Sequence, residues 1–349
     1  MLDLAICGVG AATAVGRRAW ETAAAVRAEV SGLTEHPFMP DSEGKRIIVA
    51  QCPWLGAETL VENRIGRCIV DAIRESIEPL VVRKMVQKYA PGLVVNLPPR
   101  RPGLPQSLSE SVQAMLHSEF VGIFSSIDVL SLGHAGGLIG LQSAITAINA
   151  GVSAYVVAGG DSYVEPDTLE WLEGTNQLHG AGPRNNAWGF VPGEGAGAIL
   201  LVSAMVADRD RIDRLGKLVG LGIAREKNII RSGEVCLGQG LTAAFHGAFS
   251  HFPSRSLITD VYGDMNGDPY RAEEYGFTVT RTRERFFNAT DFRAPADCWG
   301  DVGAASGTLG IVLSCIASLK HYSNGSTSLV WASSEAGERA AAIIGAVEG

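Results

Sequence analysis

The side chains of this chain that could do chemistry sit in glycine-rich surroundings. His134 stands in Gly133-His134-Ala135-Gly136-Gly137-Leu138, where a strand pattern gives way to a helix pattern. An imidazole there can serve as a general base; the alternative is a packed, hydrogen-bonded histidine with no reactive role. Tyr262, in Asp260-Val261-Tyr262-Gly263-Asp264, can donate one hydrogen bond to an oxyanion, or be a buried tyrosine whose hydroxyl finds a backbone partner. Cys298, close to Gly300, is a candidate nucleophile and equally a buried structural thiol. Asp301, when ionised, only accepts hydrogen bonds. His179 lies in a glycine-rich loop, and Asp161, Glu165 and Glu170 read as helix-end or surface charges as readily as catalytic carboxylates.

The apolar pattern indicates what must hold these groups. Leu2 to Gly8 reads as a short strand, and 56–80 as a helix with Leu60, Ile65, Ile69 and Ile73 on one side. Leu93 to Leu97 is a strand closed by Pro98 and Pro99, and Pro105 to Phe120 a helix that Ser107 or Ser109 can cap. Ile127 to Leu132 is the next strand, Gly136 to Ala150 the next helix, and Ala154 to Ala158 and Ala198 to Val202 are further strands. After the polar stretch Ala207 to Arg214 the plan repeats. Strands are expected at Leu218 to Ile223 and Leu257 to Tyr262, helices at Gly238 to Phe252 and Gly303 to His321, and closing strands at Thr327 to Ser333 and Ala341 to Ala346. The spacing predicts two similar halves, 1–206 and 215–349, whose continuous apolar strands are covered by helices on both faces. That is an internally duplicated α/β architecture in five layers, α/β/α/β/α.

Composition narrows the partners. A chain of 349 residues, 46% hydrophobic and 19% charged, can bury a large core. A formal net charge of -8 without a Lys/Arg block argues against a nucleic-acid surface. Cys7, Cys52, Cys68, Cys236, Cys298 and Cys315 lie far apart with no CxxC pair, so reduced, buried thiols in a cytoplasmic protein are expected rather than a metal cage. The apolar stretch 1–16 lacks the positive region of an export signal, since Arg17 and Arg18 come after it. The stretch 133–157 is interrupted by glycines, Ser143, Thr146, Asn149 and Ser153, and reads as a buried helix and strand, so no membrane insertion is expected.

Three segments carry a family resemblance. Cys7-Gly8-Val9-Gly10-Ala11-Ala12-Thr13-Ala14-Val15-Gly16 resembles the opening G-x-G-x-x-T-x-x-G of the β-ketoacyl-acyl-carrier-protein synthases, a branch of the thiolase superfamily. Gly189-Phe190-Val191-Pro192-Gly193-Glu194-Gly195-Ala196-Gly197-Ala198 is similar to their G-F-V-x-G-E-G-A-G segment in content and place. Gly151 and Ala158-Gly159-Gly160-Asp161-Ser162 resemble the strand and loop after the nucleophile helix, so the resemblance runs from Gly8 to Gly307. A dinucleotide fingerprint competes for the first motif, but its spacing does not supply G-x-G-x-x-G. Gly193, Gly195 and Gly197 also have a purely structural reading, as positions of close backbone packing. The resemblance implies a thiolase fold.

At the positions where such enzymes carry a cysteine and two histidines, this chain matches His134, Tyr262 and Asp301. His134 takes the cysteine position of an A-C-S-x-G-L segment. Tyr262 takes the first histidine, of H-G-T-x-T, in a shortened loop. Asp301 takes the second, in a K-S-x-x-G-H-x-x-x-A-A-G segment whose lysine is replaced by Ala296. An acyl-imidazole hydrolyses readily, so His134 does not replace a thiolate. An ionised Asp301 would repel the enolate formed on decarboxylation by about 4 kcal/mol at about 4 Å and an effective dielectric of about 20, roughly a thousandfold in rate. The resemblance therefore implies a ketosynthase-like protein lacking condensing activity, acting as a binding, partner or scaffold subunit as chain-length factors do. One alternative is an acyl-thioester hydrolase or acyltransferase using His134, Cys298 or both; another is an accessory protein of a bacterial secretion system. The resemblance further implies a homodimer, or a heterodimer with a ketosynthase-like subunit, joined through the strand near Ala154 to Ala158. It also implies an acyl carrier protein or other protein partner, with no cofactor and no metal.

Overall fold

The computed structural model describes residues 4–183 and 185–347; Leu2 and Asp3 of the first expected strand lie outside them. The N-terminal half runs β1 (Leu4–Thr13), α1 (Ala19–Arg27), β2 (Thr34–Pro40), β3 (Arg46–Val49), α2 (Val61–Val82), α3 (Val86–Tyr89), β4 (Gly92–Asn96), α4 (Leu108–Glu119), β5 (Ser126–Leu130), α5 (Gly136–Asn149), β6 (Ala154–Ser162), α6 (Pro166–Gly174) and β7 (Glu194–Ser203). A short helix, α7 (Ala204–Asp210), leads into β8 (Gly216–Arg225), α8 (Gln239–Phe249), β9 (Asp260–Gly263), α9 (Pro269–Thr282), β10 (Phe292–Arg293), α10 (Ala296–Trp299), α11 (Ser306–Leu319), β11 (Thr327–Ser333) and β12 (Glu338–Gly345).

The main sheet has the order β10-β9-β11-β12-β8-β1-β7-β6-β4-β5. Read outward from the β1–β8 pair, each half repeats the other: its first strand in this sheet, its last, its second-to-last, then its second and third. The halves meet where Leu4, Ala5 and Ile6 pair antiparallel with Leu218, Lys217 and Gly216. The internal duplication expected from the repeated pattern is thus written into the strand order.

Alternation along the strands builds the layers. In β6, Val156 joins an outer core with α2 and α4, while its neighbour Val157 joins the central core with α5 and α11. In β11, Leu329 and Trp331 face a second outer core with α8, whereas Val330 and Ala332 face the centre. The result is the five-layered thiolase arrangement, with α5 and α11 enclosed between two sheet halves. Helix α2 covers its sheet with Ile65, Ile69, Ile73 and Ile77, four buried residues at i, i+4 spacing; each contributes about 1.5–3 kcal/mol by burial. Leu60, expected on that face, is instead the exposed residue preceding the helix. The helix approaches so closely that a Cβ at Gly10 would lie 1.9 Å from the Ala72 carbonyl oxygen. Gly8 and Gly10 lie inside β1 against α2, which removes the dinucleotide-loop reading of that motif.

Two expectations change. The strand Ala154–Ser162 is hydrogen-bonded on both edges, to β4 and to β7, so it has no free edge with which to pair across an interface. The outermost strand of that half is β5. Helix α9 was not expected from the apolar pattern, because its buried face is largely polar: Arg271, Glu274, Thr278 and Thr282.

No helix among the described residues is long and apolar enough to cross a membrane. All six cysteines are buried and free of disulfides.

Candidate functional site

The site lies where α5 and α11 begin. At the end of β4, the Asn96 side-chain amide donates to the Gly133 carbonyl (2.7 Å) and the Ala304 carbonyl (2.9 Å) and accepts from the Leu132 N–H (3.2 Å). This ties the 3₁₀ turn Gly133–Ala135, which opens α5, to the 3₁₀ turn Gly303–Ala305, which opens α11. Each turn is then capped from the other half. The Ala135 N–H donates to Ser334 Oγ (2.9 Å), beyond β11, and the Ala304 N–H donates to Asp161 Oδ2 (2.9 Å), in β6. Arg101 holds Asp161 in place at 2.6 Å while stacking on the Tyr163 ring at 3.9 Å. Asp161 is therefore a structural carboxylate joining the halves.

His134 is brought by its turn against Asp301. Its Nε2 lies 2.9 Å from Asp301 Oδ1 and 3.1 Å from Oδ2, with both side chains buried. Arg271 Nη2, from α9, approaches the same nitrogen at 3.2 Å. That nitrogen can donate to Asp301 or accept from Arg271, and in either case it is engaged. Asp301 also accepts from Asn266 Nδ2 (2.6 Å) and the Gly303 N–H (2.7 Å). Burial works to raise the Asp301 pKa, but His134, Arg271 and the Gly303 N–H outweigh it and hold the carboxyl well below the usual range. Arg271 Nη1 in turn donates to Asp264 Oδ2 (2.5 Å) and the Ser333 carbonyl (2.8 Å). The polar chain continues through Ser333 Oγ to Glu274 (2.7 Å) and from there to Arg339 Nε (2.6 Å).

Tyr262 is not part of this cluster. It pairs with Val330 in the sheet, packs in the central core and lines a small cavity that Asp301 also lines, its hydroxyl buried with no hydrogen-bond partner, from backbone or otherwise. Burial raises its pKa. The residues that reach Asp301 and His134 from this stretch are Asn266 and Arg271, and Asp264 anchors the latter. Their signal in the sequence was Asp268-Pro269, a capping residue followed by proline at the first helical position; Asp268 indeed accepts from the Tyr270 N–H. Cys298 sits on α10, whose Ala296 and Trp299 line a cavity beside Asp301 while Cys298 itself does not. Burial, then Asp297 and Glu29, push its pKa up, the reverse of an activated thiol.

The cavity beside Asp301 measures about 30 Å³, room for a water molecule and little more. An open cleft of about 630 Å³ lies outside it, lined by His179, Met265, Asn266 and Asp297. Asn266 lines both and stands between them. Glu165 caps α6 by accepting from the Thr168 N–H, and Glu170 is exposed on that helix. Glu194 of the glycine-rich segment is likewise structural, taking Arg64 Nε (2.8 Å) and Nη2 (2.6 Å), the Cys52 N–H (2.6 Å) and Ser162 Oγ (2.9 Å). Glu226, Cys236 and Glu274 cluster closely enough for a metal. Their carboxylates are already taken, Glu274 by Arg339 and Ser333 and Glu226 by the N–H groups of Gly240, Lys227 and Asn228, so the trio does not suit an ion.

The sequence matches no family model and no curated protein sequence. Solved structures do match. One is a type II polyketide synthase acyl-carrier protein in complex with its ketosynthase bound to the hexaketide, at TM-score 0.79 and 15% identity over 99% of both chains. The fold is that of the ketosynthases. The ishigamide ketosynthase/chain length factor is similar at TM-score 0.71, with 17% identity over 99% of this chain and 100% of that one. A β-ketoacyl synthase from Burkholderia phymatum matches at TM-score 0.74 and 14% identity over the whole of both chains. At such identities the likeness shows the fold alone.

Proposed function

We propose that this ketosynthase-fold protein performs no condensation and acts as a binding or scaffold subunit. One observation carries the reading: where a condensing site needs a thiolate stands an imidazole, His134, whose Nε2 is tied to Asp301 and Arg271 in a buried ionic cluster. A condensing site needs a free nucleophile and two groups able to stabilise negative charge. Here the nucleophile position holds a hydrogen-bonded imidazole, one stabilising position holds an ionised carboxylate, and the adjoining cavity, about 30 Å³, has room for little more than a water molecule.

Two features support a protein partner. Strand β5 ends its half of the sheet with Ser126 and Asp128 exposed, a place where a second subunit can extend the sheet. Structural relatives include a ketosynthase with its acyl-carrier protein and a ketosynthase/chain length factor, which favours a ketosynthase-like subunit or a carrier protein as the partner class.

Intact-mass spectrometry after incubation with acyl-carrier-protein and coenzyme A thioesters tests the reading. No adduct is expected at any acyl length. A stable adduct lost in His134→Ala or Cys298→Ala would overturn it in favour of a hydrolase or acyltransferase.

A further inference from the structure

A second open cleft, of about 490 Å³, lies away from His134, between the β2–β3 hairpin and the N-terminal ends of α2 and α6. Its volume falls within the range of ligand sites. Apolar side chains form part of it: Phe38 is 51% and Leu60 62% exposed, over Leu104 of the loop that follows β4. Phe38 and Leu60 therefore offer exposed apolar surface within the cleft.

The charges around it have one sign. Glu58, Glu62, Glu165 and Asp167 line the cleft, and among the described residues none has a cationic side chain within ion-pair distance. The one lining arginine, Arg64, is consumed by Glu194 at 2.6 Å. His36 also lines it, yet its Nδ1 accepts from the Phe38 and Met39 N–H groups, and its other nitrogen faces the Val164 carbonyl, so the ring is held neutral. The crowding of charge shows at Glu165, whose pKa rises through burial first and then through Asp167 and Glu170.

We infer that this cleft binds a basic, amphipathic peptide segment of a partner protein, with an apolar side chain between Phe38 and Leu60 and its cations against the four carboxylates. Charge complementarity selects this occupant, because an acidic segment would be repelled by the four carboxylates. The inference rests on the binding role proposed above but uses a separate site.

The test is fluorescence anisotropy with a fluorescein-labelled peptide of alternating arginine and leucine, compared with its glutamate–leucine counterpart. The basic peptide alone should bind, more weakly as salt is added. Glu62→Gln with Asp167→Asn should weaken it roughly five- to tenfold, and Phe38→Ser should weaken it without changing the salt dependence. Glu165 is left intact because it caps α6. The control pair Glu273→Gln with Glu284→Gln, exposed on the other half, should leave affinity unchanged. No binding, binding of the acidic peptide, or equal loss in the control pair would each overturn the inference. So would affinity that falls as the protein self-associates, which would mark a second copy as the occupant. An acyl adduct at His134 would remove the non-catalytic reading and leave this result standing.

Discussion

Asp301 Oδ1 lies 2.9 Å from Nε2 of His134, and the two residues come from different halves of the duplicated fold. The cluster they form stands at the seam between those halves. In this chain the seam is closed by an ion cluster, and Asn96, Asp161 and Ser334 bind the same two helix starts together. On the non-catalytic reading proposed above, this cluster serves as a clasp between the halves.

Breaking the clasp should therefore cost stability. Arg271 keeps Asp264, but Asp301→Ala leaves His134 Nε2, Asn266 Nδ2 and the Gly303 N–H without the acceptor they share, and a buried polar group left unsatisfied costs about 1–3 kcal/mol. Urea denaturation should show this, and a double-mutant cycle with His134→Ala should be strongly non-additive. The acid limb carries a second signature. Because the folded carboxyl titrates below its unfolded value of about 3.9, its contribution is complete above that pH and is lost as pH falls through the folded value. Asp301→Asn should accordingly lack this part of the acid destabilisation seen in the wild type.

Restoring the missing cysteine should not restore a reactive thiolate. In His134→Cys the thiol would share its pocket with the Asp301 carboxylate, while the guanidinium of Arg271 stays paired with Asp264. The excess negative charge favours the neutral thiol. Iodoacetamide labelling followed across pH, with peptide mapping to separate the other cysteines, should place its reaction above the ordinary thiol range of about 8.5. Adding Asp301→Asn should shift the reaction to lower pH. Labelling of the single variant at neutral pH would contradict the account.

Much of the architecture was legible because strands and helices here bury continuous apolar runs. The closing strand Thr327–Ser333 was read to its ends, and α5 to within one residue. The His134 turn and the Asp301 segment were also readable, as glycine-framed departures from a known pattern. Arg271 was not. It lies on a helix whose inward face is made of arginine, glutamate and threonine, so no hydrophobic period announces it. For Tyr262 the sequence left two readings, and strand alternation turns the side chain into the central core as the buried one has it, though its hydroxyl lacks the backbone partner that reading expects. The β2–β3 hairpin, with only a few buried positions in eleven strand residues, gave no apolar run to read.

Gly303 offers a test of how closely the second helix start is fitted. Its φ is +47°, and a Cβ there would lie 2.0 Å from Asp161 Oδ2. Alanine costs about 1–2 kcal/mol for the left-handed conformation alone. It would also displace Asp161, which holds the Ala304 N–H and is itself held by Arg101. Gly303→Ala should lower the unfolding midpoint by several degrees, whereas Gly276→Ala, where nothing crowds the added carbon, should leave it unchanged or slightly higher.

The free edge of the sheet makes the last prediction. Strand β5 is paired to β4 on one side only, and Ser126 and Asp128 are its exposed positions. If a second subunit adds to this edge, lysine at both positions should block it, since edge lysines oppose strand addition and, in a symmetric pair, would face each other. Sedimentation of the wild type should report a dimer, alone or with a ketosynthase-like partner. Ser126→Lys with Asp128→Lys should sediment as a monomer with unchanged circular dichroism, because neither side chain is buried in the fold. A variant that stays dimeric would move the interface away from β5. The opposite edge ends in the two-residue strand β10, too short to support sheet extension by itself, so the contact would then have to run through helices or loops.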